Sequence, residues 1–306
     1  MANWTAADIL AQTGKLAVVT GPTGLGYEIG LALARAGAEV VLAGRNVQTG
    51  EASVARVRSM AAGGAVRFEA LDLASLSSVK AFADRLLAAG RPVDILVNNA
   101  GVMMVPERRT TADGFELQLG TNYLGHFALT GRLRPLLAAA RARVVSVSSI
   151  SANPGRIHFD DLQLVRTYNP SRAYEQSKLA MILFAYELQR QSAANGWGIS
   201  SLAAHPGVAA TDLIDKGPGA SSLMSVATRV LPFLRQPAAQ GALPILYAAT
   251  SPEAVGGGYY GPDGFQQMRG YPRKIAGPPQ SHDASVAQRL WTVSEQLTDV
   301  RFGGGD

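Results

Sequence analysis

The chain has no cysteine among its 306 residues. Disulfides, thiolate metal sites and cysteine nucleophiles are excluded together, and nothing in the composition points to an oxidising compartment. Charge is sparse. Asp, Glu, Lys and Arg make up 17% against 47% hydrophobic residues, a balance that excludes global disorder and supplies a large core. No run of about 18 apolar residues occurs, so no segment is expected to span a membrane. Met1 to Thr13 shows neither a basic n-region nor a long apolar h-region and does not read as a secretory signal. The expectation is a soluble cytoplasmic protein.

The net charge is +5 and the pI about 9.6. Basic chains can bind nucleic acid. Here the densest group, Arg132, Arg134, Arg141 and Arg143, lies at a helix end and the next strand start, with no interleaved aromatics to stack bases. A solvated basic face is the better reading, and no nucleic-acid partner is expected.

The first two-thirds of the chain alternates short apolar runs with helical periodicity. Strands are expected at 15–20, 40–43, 66–71, 94–98, 143–147 and 199–204. Helices are expected at 27–36, 47–61, 75–89, 114–140 and 172–195, several closing at glycine. The strands are continuous apolar runs, the pattern of a parallel sheet buried on both faces. After Ala204 the alternation weakens, with helices expected at 223–231, 238–249 and 284–296 and a strand at 258–260. The fold class is α/β: a doubly wound parallel sheet of about seven strands in one domain, 1–306.

The first strand runs into Thr20-Gly21-Pro22-Thr23-Gly24-Leu25-Gly26 and then a helix. Glycines in that position permit a tight turn and close backbone approach to a pyrophosphate, and the helix N-terminus adds free N–H groups. The second strand ends at Ala43-Gly44-Arg45-Asn46. An arginine where an NAD-binding Rossmann fold places a carboxylate fits a 2′-phosphate, so NADP(H) is preferred and NAD(H) remains open.

Tyr174 and Lys178 are four positions apart on an expected helix and so share a face. A neighbouring ammonium favours the phenolate and lowers the phenol pKa. Ser148-Ser149 end the fifth strand, at the edge where open α/β sheets bind ligands, and Asn122 lies in the preceding helix.

These pieces, with Asp72-Leu73, Asn98-Asn99-Ala100-Gly101, Tyr174-Glu175-Gln176-Ser177-Lys178 and His205-Pro206-Gly207 with Thr211, resemble the short-chain dehydrogenase/reductase superfamily over essentially the whole length. Thr121-Asn122-Tyr123-Leu124-Gly125-His126-Phe127 and Tyr259-Tyr260-Gly261-Pro262 are most similar to its retinol-dehydrogenase-like and WW-domain-oxidoreductase-like branch, whose bacterial-looking members resemble generic carbonyl reductases.

The resemblance implies a catalytic tetrad of Asn122, Ser149, Tyr174 and Lys178. Tyr174 would exchange a proton with the substrate oxygen, Ser149 would hydrogen-bond that oxygen, and Asn122 would hold a water in a relay through Lys178. Lys178 would also bind the nicotinamide ribose and depress the Tyr174 pKa. For the cofactor it implies the turn residues Gly21, Thr23, Gly24, Leu25 and Gly26, then Arg45, with Asp72 and Leu73 near the adenine. Asn99, Ala100 and Gly101 would lie along the ribose, and Pro206, Gly207 and Thr211 near the nicotinamide amide. The implied activity is NADP(H)-dependent interconversion of a ketone or aldehyde with an alcohol. C=C reduction, epimerisation and a non-catalytic dinucleotide-sensing or scaffold role are the alternatives.

Two departures stand out. Only Pro22 and Thr23 separate Gly21 from Gly24, one residue fewer than the family turn, and the turn has no basic residue. Ser149 and Tyr174 are 25 positions apart, about twice the usual separation, leaving an insertion near 151–172. That insertion and the region near 212–306 are expected to shape the substrate site. Met103 and Met104, with Met224, Leu231 and Phe233 in the expected substrate loop, point to a hydrophobic substrate. Short members assemble through their two long helices, so a homodimer or other homo-oligomer is open, as is a monomer if the insertion blocks that face. His158, His205 and His282 lack metal-ligand spacing and no metal is expected. His126 reads as a packed helix residue, and Asp160-Asp161 as solvated loop acids.

Overall fold

The apolar runs become strands of one sheet in the computed structural model, which describes residues 3–62, 64–210 and 236–303. The strands β1 (Leu16–Thr20), β2 (Glu39–Gly44), β3 (Val66–Ala70), β4 (Ile95–Asn98), β5 (Arg143–Val147) and β6 (Ser200–Ala204) follow the sequence expectation closely. A short pair, β7 (Ala209–Ala210) and β8 (Gln236–Pro237), stands apart, and β9 (Tyr259–Pro262) and β10 (Pro272–Ile275) complete the main sheet. Its order is β10-β9-β6-β5-β4-β1-β2-β3, an eight-stranded sheet among the described residues. Seven strands are parallel, while β10 runs antiparallel to β9 at the edge. β10 is the strand of this sheet that sequence reasoning missed, as it also missed the short β7 and β8. β10 reads Pro-Arg-Lys-Ile and is half exposed, so it carries no apolar run.

Side chains alternate between the two faces of the sheet. Val18, Val41, Leu96 and Val144 point into one core, while Val19, Val40, Val97 and Val145 point into the other. Helices α1 (Leu25–Arg35) and α2 (Val47–Met60) cover the second face with α7 (Ala238–Thr250). The first face carries α3 (Leu76–Ala89), α5 (Gly125–Ala139), α6 (Pro170–Asn195) and α8 (Ala284–Thr298). Asn46 and Ser75 cap α2 and α3, and Asn169 caps α6, with Pro170 in its first turn.

The expected continuous helix over 114–140 is broken into pieces. Gly114 lies outside it at φ +85°. Glu116, fully buried, caps a short α4 (Leu117–Leu119) by accepting from the Gln118 and Leu119 amides at 2.9 and 2.7 Å. A π-helical turn, Gly120–Leu124, then joins α4 to α5, the Gly125 amide reaching back to the Gly120 carbonyl. Periodicity could not show this, because a π turn adds one residue without interrupting the apolar pattern.

Residues 151–172 leave β5, make 3-10 turns at Ile150–Ala152 and Phe159–Asp161, and enter α6. Side chains from elsewhere pin this insertion. Arg108 donates to the Gln163 carbonyl, Gln176 donates to that of Leu162, and Gln280 donates to those of Asn153 and Gly155. Asp161 closes its own loop, accepting from the Val165 and Arg166 amides. α8 packs on α5 and α6, and the insertion also lies on α6, where the His158 amide donates to Gln176 Oε1 at 2.9 Å, and meets α8 where Arg289 lies over the Phe159 ring. Trp291 packs 5.1 Å from Phe127 and 5.9 Å from Phe184, with Phe302 at 4.3 Å.

Thr211, Met224, Leu231, Phe233 and the helix expected at 223–231 lie outside the described residues. Among the described residues no helix is long and apolar enough to cross a membrane, and no group of three or more His, Asp or Glu is placed to hold a metal.

Candidate active site

The strand order reverses between β1 and β4, and the loops leaving these two strands lie side by side at the carboxyl edge. Such a switch point forms a ligand crevice. On one side, Gly21 has φ +82° and Gly24 φ +53°, and α1 starts at Leu25. No side chain caps α1, in contrast to α2, α3 and α6. Its first amides and positive dipole end therefore face the crevice, a donor set that fits a pyrophosphate. The Gly21 carbonyl lies over the first helical turn, so that a Cβ on Gly26 would stand 1.7 Å from it. The missing turn residue has a packing counterpart. Pro22 lies against Gly44 at the end of β2, where a Cβ would meet Pro22 Cδ at 2.6 Å. Arg45 follows Gly44 directly and is exposed.

Thr20 joins the turn to the loop after β4. Its Oγ1 accepts from the Asn99 and Ala100 amides, both at 2.9 Å, and the Asn99 side-chain amide donates to the Thr20 carbonyl at 2.7 Å. Asp72 shapes the turn after β3, accepting from the Ala74 amide, and the Leu73 carbonyl fits against Gly125. Gly101 allows close approach to Asn122, for a Cβ there would lie 2.9 Å from Asn122 Oδ1 and 3.7 Å from Lys178 Nζ.

Asn122 is fully buried in the π turn. Its Oδ1 accepts from the Val102 amide at 2.7 Å, and its Nδ2 donates to the Val102 carbonyl and to Ser177 Oγ, each at 2.9 Å. Ser177 Oγ in turn donates a hydrogen bond to the Tyr174 carbonyl at 2.8 Å. Ser177 was quoted in the sequence pattern without a role. Its position beside Lys178 on the Tyr174 helix was the available signal.

Tyr174 and Lys178 are each 5% exposed, and the ammonium lies 5.7 Å from the phenol ring centre. Lys178 Nζ donates to the Val147 carbonyl at 3.1 Å. The Ser149 hydroxyl is near enough to Tyr174 to favour its charged form. Ser148 turns the other way and donates to the Lys178 carbonyl at 2.8 Å. The two serines thus serve different partners. The expected lowering of the Tyr174 pKa is not found in this arrangement. Burial pushes the phenol up to about 12, against which the Ser149 hydroxyl works downward. Burial also lowers Lys178 to about 8. Desolvation of the buried phenol dominates, so bringing it into the neutral range requires positive charge near its oxygen.

Pro206 and Gly207 follow β6. Gly207 has φ +64° and its amide donates to His205 Nδ1 at 3.2 Å, leaving Nε2–H to donate to Gln267 Oε1 at 3.1 Å. His205 is fully buried, and burial lowers its pKa to about 4. The unfolded chain therefore binds a proton that the folded chain refuses. Its stabilising contribution is complete above the ordinary histidine value and is lost as pH falls from about 6.5 toward 4. His205→Gln is expected to reduce the acid-side slope of unfolding free energy by about 1.4 kcal/mol per pH unit in that window. Urea titrations at pH 4.5, 5.5 and 6.5 measure this, and an unchanged slope contradicts it.

The short chain dehydrogenase profile matches residues 15–218. The chain belongs to the short-chain dehydrogenase family. Within it, this short-chain dehydrogenase falls in the retinol-dehydrogenase-like branch. It is 40% identical to a polyprenol dehydrogenase of Danio rerio over 301 residues, spanning 96% of this chain and 90% of that one. It is likewise 40% identical to human (Homo sapiens) retinol dehydrogenase 13 over 294 residues, 94% of this chain and 85% of the relative. A solved structure of an uncharacterized protein from Mycobacterium paratuberculosis shares 41% identity and a TM-score of 0.82, covering 99% of this chain and 100% of that one.

Proposed function

We propose that this short-chain dehydrogenase interconverts a hydrophobic alcohol and its aldehyde or ketone with NADP(H). The observation that carries the reading is the buried Tyr174, with Ser149 beside it and Lys178 flanking it, at the same sheet edge as the uncapped α1 turn. The bound nicotinamide supplies the hydride acceptor for alcohol oxidation, or the donor for carbonyl reduction.

The chain's own residues do the rest. Tyr174 exchanges the hydroxyl proton with the substrate oxygen, which makes the hydride transfer proton-balanced. Ser149 hydrogen-bonds that oxygen as charge develops on it. Lys178 holds the nicotinamide ribose, and Asn122 holds the loop at Val102 and the Tyr174 helix in register. The amides of Thr23, Gly24 and Leu25 bind the pyrophosphate, while those of Gly21 and Gly26 donate to the Ala43 and Thr23 carbonyls and hold the turn. Asp72, Leu73, Asn99, Ala100 and Gly101 line the adenosine and ribose side, while Pro206, Gly207 and Thr211 meet the nicotinamide amide. Arg45 favours the 2′-phosphate.

The two relatives are named for polyprenol and retinol, both isoprenoid primary alcohols. Half-buried Met103 and Met104 beside the Asn99–Gly101 loop suit an apolar chain. The substrate class is therefore proposed as an isoprenoid alcohol or aldehyde. The domain spans 1–306, with specificity in the 151–172 insertion and the region near 212–306.

The test measures NADPH oxidation and NADP reduction with retinoids, polyprenols and a panel of aryl and aliphatic ketones, and repeats each with NAD(H). Turnover no greater than that of Tyr174→Phe across the panel ends this reading. Because α8 covers α5 and α6, the chain is expected to run as a monomer in size-exclusion chromatography with light scattering. A dimer mass contradicts that expectation.

A further inference from the structure

His126 is fully buried as the second residue of α5, one turn after Asn122, and both its ring nitrogens are engaged. Nδ1 lies 2.8 Å from the Asn122 carbonyl oxygen, and Nε2 lies 2.9 Å from Thr20 Oγ1. Chemistry settles the protons. A carbonyl oxygen only accepts, so Nδ1 carries the hydrogen. Thr20 Oγ1 already accepts from the Asn99 and Ala100 amides and has two lone pairs. It has no capacity for a third donor, so its own proton is donated, and of the two acceptors in reach, Nε2 at 2.9 Å is nearer than the Val97 carbonyl at 3.3 Å. The ring is thus a neutral Nδ1–H tautomer with one direction of donation, from Thr20 through the imidazole to the Asn122 carbonyl.

The two ends of this connection belong to different parts of the site. Thr20 fixes the turn after β1 and the Asn99-Ala100 backbone. Asn122 reaches the Tyr174 helix through Ser177.

We infer that His126 is a positioning residue with two separable duties: through Nε2 it holds the dinucleotide turn by way of Thr20, and through Nδ1 it fixes the Asn122 peptide against the Tyr174 helix. The inference rests on the oxidoreductase reading above for its catalytic half only. The imidazole touches neither substrate nor cofactor in this account and acts through the two groups it bonds.

The two duties can be divided with two amides. In His126→Asn the shorter side chain places an N–H where Nδ1 was and loses Thr20. In His126→Gln the longer one places an oxygen where Nε2 was and loses the Asn122 carbonyl. One hydrogen bond is worth on the order of tenfold, so His126→Asn is expected to raise the NADPH dissociation constant about tenfold and lower kcat about threefold. His126→Gln is expected to show the opposite skew, kcat falling about tenfold and NADPH affinity about threefold. Thr20→Val, which keeps the shape and removes the hydroxyl, should match the His126→Asn skew toward binding. The double variant Thr20→Val/His126→Asn should weaken NADPH no further than the weaker-binding single variant. If the histidine variants do not fold, Thr20→Val alone, with His126 intact, decides the proposal: NADPH affinity within twofold of wild type overturns it.

NADPH affinity is read by fluorescence titration. Nitrogen NMR of the ligand-free protein, labelled at histidine, should show one Nδ1–H neutral ring that stays neutral at pH 6. The proposal is overturned by equal losses of affinity and kcat in both amide variants, by values within twofold of wild type in both, or by an Nε2–H ring at His126. If the wild type turns over no alcohol or carbonyl compound, the oxidoreductase reading fails by itself, while the affinity arm and the NMR arm still decide the role at Thr20.

Discussion

Tyr174→Phe is expected to lower kcat by about 10²- to 10⁴-fold while leaving NADPH affinity within a few-fold of wild type, the contribution general for a positioned acid–base group. The substitution removes one oxygen from a ring that is 5% exposed and keeps its packing, so the fold is not at stake. What disappears is the proton donor beside Ser149. The pH profile carries the sign. Carbonyl reduction requires the protonated phenol, and burial pushes Tyr174 up to about 12, so the reductive rate of the wild type should stay level through neutral pH. Alcohol oxidation requires the proton to leave, so that direction should accelerate as pH rises. Stopped-flow rates in both directions from pH 6 to 10 test this. A variant retaining more than a tenth of wild-type kcat, or an oxidative rate falling with pH, contradicts the assignment of Tyr174.

Gly26→Ala is expected to abolish measurable NADPH binding and to lower the melting temperature. The new Cβ would stand 1.7 Å from the Gly21 carbonyl oxygen. Both partners are backbone, so no rotamer change relieves the overlap and the turn itself must open. Overpacking of this kind costs about 1–3 kcal/mol or more, equivalent to a drop on the order of 2–4 °C per kcal/mol for a domain of this size. Gly14→Ala is the matched control. Gly14 has φ +83°, yet a Cβ there would meet nothing within 4 Å, so only local strain is added, about 1–2 kcal/mol. Differential scanning calorimetry and NADPH titration separate the two. Gly26→Ala binding NADPH as well as Gly14→Ala does contradicts the role of the turn.

The elements with strong local signatures were legible in the sequence. Val18, Val41, Leu96 and Val144 belong to continuous apolar runs, and all became parallel strands. Thr20–Gly26 and the Tyr174–Lys178 pair were singled out by local residue types and spacing, and Ser149 by the family pattern that the chain resembles. What stayed hidden depends on long-range contacts or on a change of helical pitch. The π turn at Asn122 leaves the apolar pattern intact. β10 is stabilised by pairing with β9 rather than by burial. Glu116 reads as an ordinary surface acid until the fold closes over it as a cap. The direction of the Tyr174 shift was misjudged because spacing gives proximity to Lys178 but not desolvation.

The contact between Pro22 and Gly44 ties two regions that sequence comparison would treat as separate modules. A longer glycine turn transplanted from a relative would bring no ring to fill the space above Gly44, and a bulkier residue at Gly44 would collide with the short turn. For anyone re-engineering the cofactor preference around Arg45, residues 20–26 and 43–46 form one cassette, to be exchanged together or left alone.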